Sequence, residues 1–244
     1  MPKRSSGRKA DDLRPLSFTR RYTGQAPGSV LVKMGRTTVL CTCCVEPAVP
    51  PFLVGTGKGW LTAEYGMLPG STNSRKPRDK GGKVDGRSVE IQRLIGRSLR
   101  AVVDLAKLGE RTLWIDCDVL EADGGTRTAS INGAFVALID GLASVADLSQ
   151  PIARIIKDSV AAISVGLVGD VELLDLDYSE DKDAAVDLNL VMTGAGQFVE
   201  VQGTGEEATF SRSQLDRLLK LGKRGIDAIA KAQHQALGPN WPLD

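Results

Sequence analysis

The sequence predicts an α+β protein, with mixed β-sheets covered by helices and two similar halves of βαβα type, roughly residues 1–150 and 151–244. Three observations carry this prediction. Residues 30–45 are rich in β-branched residues and residues 112–120 alternate in the manner of a strand. From Ser88 onward the apolar spacing changes to a period of about 3.6, that of a helix. After Pro151 the order of strands followed by a helix recurs, without a residue-level repeat.

Each element has its own local reason. Residues 30–33 and 37–45 flank Met34-Gly35-Arg36 and predict a hairpin. Residues 70–83 have no apolar period and predict a long basic loop, a length that compact domains reserve mainly for function. In the helix that follows, Val89, Ile91, Leu94, Ile95, Leu99, Val102 and Val103 make the inward face. Arg93, Arg97 and Arg100 fall on one polar stripe, where solvation or pairing is the ordinary fate of an arginine. Arg87 differs, because it lies just before the first turn, beside a helix N-terminus that favours anions. Leu113, Ile115, Cys117 and Val119 share one face of the next strand, which runs through Glu121-Ala122-Asp123 into Gly124-Gly125-Thr126-Arg127. Residues 129–139 are apolar nearly all round and predict a buried helix.

Strand, glycine turn, hydroxyl and arginine, then helix start: this order can cradle an anion. Glycines let backbone N–H groups approach, the helix dipole favours negative charge, and the guanidinium is a forked donor. The same residues could equally form a tight turn with a capping threonine. The segment is neither a P-loop nor a G-x-G-x-x-G fingerprint, so triphosphate and dinucleotide binding lack their motifs. In the second half, residues 162–168, 171–176 and 185–192 read as strands, and a turn at 193–197 leads to another at 198–202. Ser211 and Gln214 form a capping box for a helix with Leu215, Leu218, Leu219, Ile226 and Ile229 inward, ending near Gly238-Pro239.

The chain has 244 residues, 31 Lys and Arg against 30 Asp and Glu, a formal charge of +1 and 42% hydrophobic residues. This composition excludes disordered, collagen-like and supercharged classes and can build a sizeable core without staples. No stretch approaches the roughly 20 apolar residues of a membrane span, and the basic start is followed by polar sequence rather than an apolar signal core. The predicted address is the cytoplasm, with no membrane partner. The near-zero charge is a cancellation. Residues 1–36 carry a net +7, residues 75–100 a net +6 and residues 166–187 a net −7. Basic segments attract polyanions, and a local acid cluster can hold a hard cation. Cys41 and Cys43 fall on one strand face and Cys44 on the other, poor geometry for zinc, so buried reduced thiols are expected. The single histidine, His234, is expected on a helix surface, which disfavours histidine-based nucleophilic chemistry.

Within the acidic segment, Asp181 closes a loop, Asp187 sits on the next strand and Asn189 shares its face. Two carboxylates and an amide oxygen are ligands of the type Mg²⁺ uses alongside water and substrate phosphate. Asp175, Asp177, Glu180 and Asp183 read instead as solvating a turn.

Four long motifs, at residues 57–69, 90–97, 116–130 and 199–204, closely resemble the bacterial ribonuclease PH family, in the same order. They include Gly57-Lys-Gly-Trp-Leu-Thr-Ala-Glu-Tyr-Gly-Met-Leu-Pro69 and Glu90-Ile-Gln-Arg-Leu-Ile-Gly-Arg97, and the likeness covers nearly the whole chain. The resemblance implies a single catalytic domain of that type. It implies phosphorolysis: inorganic phosphate, as co-substrate, attacks the 3′-terminal linkage of transfer RNA precursors and other structured RNA ends, releasing nucleoside diphosphates in a reversible reaction. It assigns Arg87, Gly125, Thr126 and Arg127 to phosphate, and Asp181 and Asp187 to catalysis and to Mg²⁺, with Mn²⁺ as an alternative ion. Arg75, Lys76, Arg78 and Lys80 become the RNA-binding candidates, whereas Gly70 stands where the family carries a basic residue. The family forms a ring of six subunits, three dimers, so a homo-oligomer is implied. Two rival readings are a non-catalytic RNA-binding ring subunit, expected to lose the cradle or the aspartate pair, and a hydrolytic Mg²⁺ nuclease, whose products would be monophosphates formed without phosphate.

Overall fold

The computed structural model describes residues 4, 6–78, 85–205 and 208–243. The first half builds a five-stranded sheet from β1 (Leu16–Arg20), β2 (Gly28–Met34), β3 (Thr37–Glu46), β4 (Trp60–Met67) and β5 (Thr112–Glu121), in the order β1-β2-β3-β5-β4. It is mixed: β4 runs parallel to β5 and the other pairs are antiparallel. The second half builds a four-stranded sheet from β6 (Val160–Val168), β7 (Val171–Leu174), β8 (Val186–Thr193) and β9 (Phe198–Gly205), in the order β7-β6-β8-β9. Every pair in this sheet is antiparallel, so the halves differ in strand direction at one edge.

Helices fill the space around the sheets. They are α1 (Gly86–Val102), α2 (Leu105–Leu108), α3 (Thr126–Ala143), α4 (Ile152–Ile155), α5 (Tyr178–Lys182) and α6 (Arg212–Leu237). As its all-round apolar sequence predicts, α3 is buried along almost its whole length, packed on β2 and β3 of one sheet and on β6 of the other. Its backbone lies directly on the first sheet. A Cβ on Gly28 would come within 2.0 Å of the Ala137 carbonyl oxygen, and one on Gly133 within 2.7 Å of both Cys41 Sγ and Val32. Cys41, Cys43 and Cys117 are buried free thiols in this layer, and Cys44, on the opposite face, is partly exposed. Burial drives the Cys43 thiol far above its ordinary value, which keeps it protonated and inert.

Short β7 pairs only with Val165–Val168 and leaves the start of β6 without a neighbouring strand on that side. Two buried amides complete the pairing. Asn132 of α3 donates to the Ala162 carbonyl at 2.9 Å and accepts from the Ala162 N–H at 2.7 Å, and Gln233 of α6 donates to the Val160 carbonyl at 3.1 Å. These bonds satisfy backbone groups whose burial would otherwise cost the loss of water. The capping box of Ser211 and Gln214 opens α6 as the sequence predicts. Exposed His234 packs its ring 4.8 Å from that of Trp241. In α1, Val89 is 40% exposed and Val103 lies beyond the last turn, so the inward face is narrower than the spacing predicts.

The charge distribution corrects two expectations. Asp175 is fully buried and Glu180 is 7% exposed, so neither solvates a turn. Asp177 is the N-cap of α5, accepting from the N–H groups of Ser179 and Glu180. These acids face the N-terminal arm. Arg4 forks onto both Glu180 oxygens at 2.6 Å and reaches the carbonyls of Leu174 and Asp175 at 2.9 Å. Arg14 grips both oxygens of Asp175, at 3.0 and 2.7 Å, and Arg8 stands within 3.7 Å of Asp175 and Asp177. Arg20 pairs with Asp140 and holds the last carbonyls of α6, while Arg36 pairs with Glu121. Arg4, Arg8, Arg14 and Arg20 are therefore spent inside the molecule rather than offered to a polyanion, whereas Lys9, Arg21, Lys33 and Arg36 stay on the surface. A count along the chain misses this because the partners are more than 80 residues away.

Asp175→Asn keeps a side chain that tolerates the left-handed backbone here (φ 55°) but removes the charge that Arg8 and Arg14 face. The substitution is expected to cost about 3 kcal/mol or more, read as a lower urea midpoint with an unchanged m-value.

Candidate active site

The glycine turn after β5 forms the floor. Gly124 and Gly125 both take positive φ, 75° and 64°, a conformation that L side chains rarely adopt. Gly124 also has no room for a side chain: a Cβ would lie 2.7 Å from Leu176 O and from the Asp177 carbonyl carbon, so the turn packs directly on the chain entering α5. Arg14 fixes it from behind, donating to the carbonyls of Asp123 and Gly124 while holding Asp175. Gly125 is the N-cap of α3 and offers no capping side chain, and no acidic residue occupies the first turn. The leading N–H groups of an 18-residue helix are thus left for an anion. By contrast, α2, α5 and α6 are all capped by their own side chains.

Above this floor lies a polar cavity of about 240 Å³. Gly125, Thr126 and Arg127 enter it from the start of α3, and Arg87 from the first turn of α1. Asp181 comes from α5, a five-residue helix where the sequence predicts a loop, and Asp187 and Asn189 come from alternate positions of β8. Cross-strand pairing brings Thr204 opposite Asp187 and Gln202 opposite Asn189, so one face of the β8–β9 ribbon lines the cavity. All six residues predicted for phosphate and for the acidic pair meet here.

Arg127 does not hang free. It donates to Glu90 Oε1 at 3.0 Å and to Gln202 Oε1, and Gln202 Nε2 donates to the same Glu90 oxygen at 3.0 Å. The Gln202 bond, and behind it the Arg127 and Arg87 charges, hold the Glu90 carboxyl below its usual range, partial burial opposing them. Tyr65, 4% exposed on β4, donates its hydroxyl to Thr126 Oγ1 at 2.9 Å, which leaves the Thr126 proton free to turn toward the cavity. Burial raises the Tyr65 phenol, so it is a standing neutral donor. On the other side, burial works against the Asp177 charge, but the amides of Glu180 and Ser179 and the Arg8 charge outweigh it and keep that carboxyl low. Asp181, Asp187 and Asn189 make an all-oxygen donor set next to the anion floor, which fits Mg²⁺ chemically. No group of three or more His, Cys, Asp or Glu side chains with metal-binding geometry occurs among the described residues, so such an ion would take its remaining ligands from water and substrate.

The basic loop divides. Lys76 is partly buried, its N–H bound to the Pro69 carbonyl at 2.8 Å, and it lines a second cavity of about 370 Å³ that shares Arg87, Gly125, Thr126 and Asp181 with the first. Arg78 lines a third cavity beyond it, Arg75 is exposed and lines none of these, and Lys80 lies outside the described residues. Of the arginine stripe on α1, Arg97 pairs with Glu200, and Arg100 reaches the Leu61 carbonyl and lies over the Trp60 ring. Sequence reasoning did not single out Tyr65, Glu90, Gln202 or Thr204 as site residues. All four stood inside the long motifs, but only strand register and helix packing bring Gln202 and Thr204 to the cavity and Tyr65 and Glu90 to the Thr126 and Arg127 that line it.

Residues 12–142 match the profile of the 3′ exoribonuclease family, domain 1, and residues 158–225 that of domain 2. A ribonuclease PH of Rhodopirellula baltica is 57% identical over 237 residues, 95% of this chain and 96% of that protein. Two solved structures share the fold at lower identity. Rrp46 from rice (Oryza sativa) superposes with a TM-score of 0.78 at 20% identity, covering 96% of this chain and 99% of its own. A chain of the Archaeoglobus fulgidus exosome with RNA bound to the active site gives 0.79 at 22% identity, covering 94% and 92%.

Gln202→Leu removes the first of the bonds that lower the Glu90 carboxyl. Its pKa is expected to rise toward the ordinary glutamate value, followed by carbon-detected NMR titration of the side chain.

Proposed function

The chain belongs to the 3′ exoribonuclease family and is a ribonuclease PH-type enzyme, and from that premise we propose how its cavity performs phosphate-dependent 3′-to-5′ trimming of transfer RNA precursors. The observation that carries the reading is the meeting of Arg87, Arg127 and the uncapped start of α3 with Asp181 and Asp187 in one small polar cavity.

Inorganic phosphate rests on the Gly125–Thr126 backbone, between the Arg87 and Arg127 guanidinium groups, with the Thr126 hydroxyl as a further donor. Glu90 and Gln202 hold Arg127 in place before the anion arrives, so little reorganisation accompanies binding. One phosphate oxygen attacks the phosphorus of the terminal linkage. The bond to the 3′ oxygen of the penultimate nucleotide breaks, that oxygen takes up a proton, and the terminal residue departs as a nucleoside diphosphate. Positioning and charge neutralisation supply most of the rate. Asp181 and Asp187, with Asn189 beside them, would hold Mg²⁺ or Mn²⁺, which when bound stabilises charge on the scissile phosphoryl group and the departing oxygen. Because a phosphate ester is exchanged for a diphosphate, the same site run backwards adds nucleotides.

RNA approaches along the 70–78 loop, with Lys76 nearest the cavity, Arg78 next and Arg75 outermost. Lys80, from the same basic stretch, is proposed for this path as well. The working form is a homo-oligomeric ring of six, a reading supported by large apolar side chains left exposed at Phe52, Val54, Phe198 and Val201. No helix among the described residues is long and apolar enough to cross a membrane, and the three buried free thiols suit a reducing cytoplasm.

Arg87→Ala is expected to lower phosphate-dependent kcat/KM by about 10²–10³-fold, with RNA affinity largely kept. The assay is a 3′-extended transfer RNA incubated with and without phosphate, followed by product identification. Monophosphates formed without phosphate, or full activity in the variant, would overturn the assignment. Asp181→Asn and Asp187→Asn should each lose about a hundredfold or more in kcat while the KM for phosphate changes little, as read from initial rates over a phosphate series.

A further inference from the structure

Of the three tyrosines only Tyr65 is buried; Tyr22 and Tyr178 are half exposed. Tyr65 sits on the inner face of β4 beside Cys117 of β5, packed in the main core, and lines neither of the two cavities that meet at the cradle. Its hydroxyl nevertheless reaches Thr126 Oγ1, at 2.9 Å, on the first residue of α3. The direction of that bond is fixed by the burial. Among the described residues Thr126 Oγ1 is the only acceptor within reach of the phenol proton, so the reverse polarity would leave a buried donor unsatisfied. Burial also keeps the phenol protonated, so the donor is always present.

The other hydroxyls at the start of α3 show what Thr126 does differently. Thr128 donates to the Gly125 carbonyl and Ser130 to the Thr126 carbonyl, both at 2.9 Å, the backward bonds that helical hydroxyls ordinarily make. Thr126 stands too early in the helix to follow them. Behind it the Asp123 carbonyl already receives Arg14, and the Gly124 carbonyl receives Arg14 and, at 2.6 Å, Thr37 Oγ1. The Gly125 carbonyl is taken by Thr128 and by the Ala129 N–H. Thr126 Oγ1 therefore accepts from Tyr65 behind and has its own proton left over, with the anion cavity in front of it.

Resting on the phosphorolysis reading, we propose that Tyr65 is a positioning residue for phosphate: its donated bond commits the Thr126 hydroxyl to one polarity, that of a donor aimed at the incoming anion. The remaining groups of the cradle, Arg87, Arg127 and the leading N–H groups of α3, can only donate. A hydroxyl can donate or accept, and it turns freely unless something holds it. Tyr65 removes that choice before the phosphate arrives, so the anion meets donors alone and no group has to reorient as it binds. The residue acts from the core, one side chain removed from the anion, and touches neither phosphate nor RNA.

A double-mutant cycle tests this, read by steady-state kinetics of the full chain over a series of inorganic phosphate and a series of 3′-extended RNA. Tyr65→Phe keeps the ring that fills the core and removes only the hydroxyl. It should raise the KM for phosphate by about tenfold, with the KM for RNA within about twofold of the parent. In a Thr126→Ser background, which keeps a hydroxyl, Tyr65→Phe should have the same effect. In a Thr126→Ala background it should have almost none, because the group it orients is gone. An effect of equal size in Thr126→Ala would overturn the proposal, since a loosened helix start weakens phosphate whether or not residue 126 carries a hydroxyl. So would an unchanged KM for phosphate in Tyr65→Phe, or a rise in both KM values together. A fully active Arg87→Ala enzyme would instead sink the phosphorolysis reading, whatever the Tyr65 variants do.

Discussion

Three arginines of the N-terminal arm, Arg4, Arg8 and Arg14, are buried against Asp175, Asp177 and Glu180, and the geometry of the site depends on that contact. A single buried charge in such a place would be unfavourable by several kcal/mol. Here every charge is paired, Arg8, Asp175 and Glu180 each with more than one partner, and the remaining donors of Arg4 and Arg14 go to the carbonyls of Leu174, Asp175, Asp123 and Gly124. The network therefore fixes backbone as well as side chains. Arg14 alone touches the turn that opens α3 and the segment that leads to α5. The distance between the anion floor and Asp181 is set by that one guanidinium and by Gly124, which lets the two segments touch.

The charges that remain for chemistry are sorted by the same network. Cations at Arg87 and Arg127 face the floor, and carboxylates at Asp181 and Asp187 stand across the cavity. Left alone, the two sets would attract one another and close the site. Glu90 on α1 and Gln202 on β9 hold Arg127, and Asn189 donates to Asp187 at 3.2 Å on β8. Each half of the cavity thus has internal partners, and the space between stays available to phosphate and RNA. Such prior arrangement of dipoles and charges is what lets an electrostatic site act without paying for its own rearrangement.

What the sequence made legible was local. The alternation of Leu113, Ile115, Cys117 and Val119 marks β5, the all-round apolar run marks α3, and the Ser211–Gln214 box marks the start of α6. The Gly124-Gly125-Thr126-Arg127 cradle was legible for the same reason: its parts are contiguous. The acidic pair could be named because Asp187 and Asn189 alternate on a strand and the long motifs resemble a known family. Pairings across the chain were not legible. Nothing near Asp175 says that Arg14, 161 positions away, will bury it. The α5 helix escaped notice because its five residues have no apolar period and are held by a capping box and arginines. Gln202 and Thr204 needed the register of β9 on β8, which no local pattern supplies.

The seating of α3 on bare glycine carries a thermodynamic consequence. With no side chain between helix and sheet at Gly28 and Gly133, the helix has no soft layer through which to rock. The close-packed mount of α3 leaves the start of the helix little motion to give up when a ligand arrives. Ordering losses fall instead on the partner that has conformations to lose, the single-stranded RNA end.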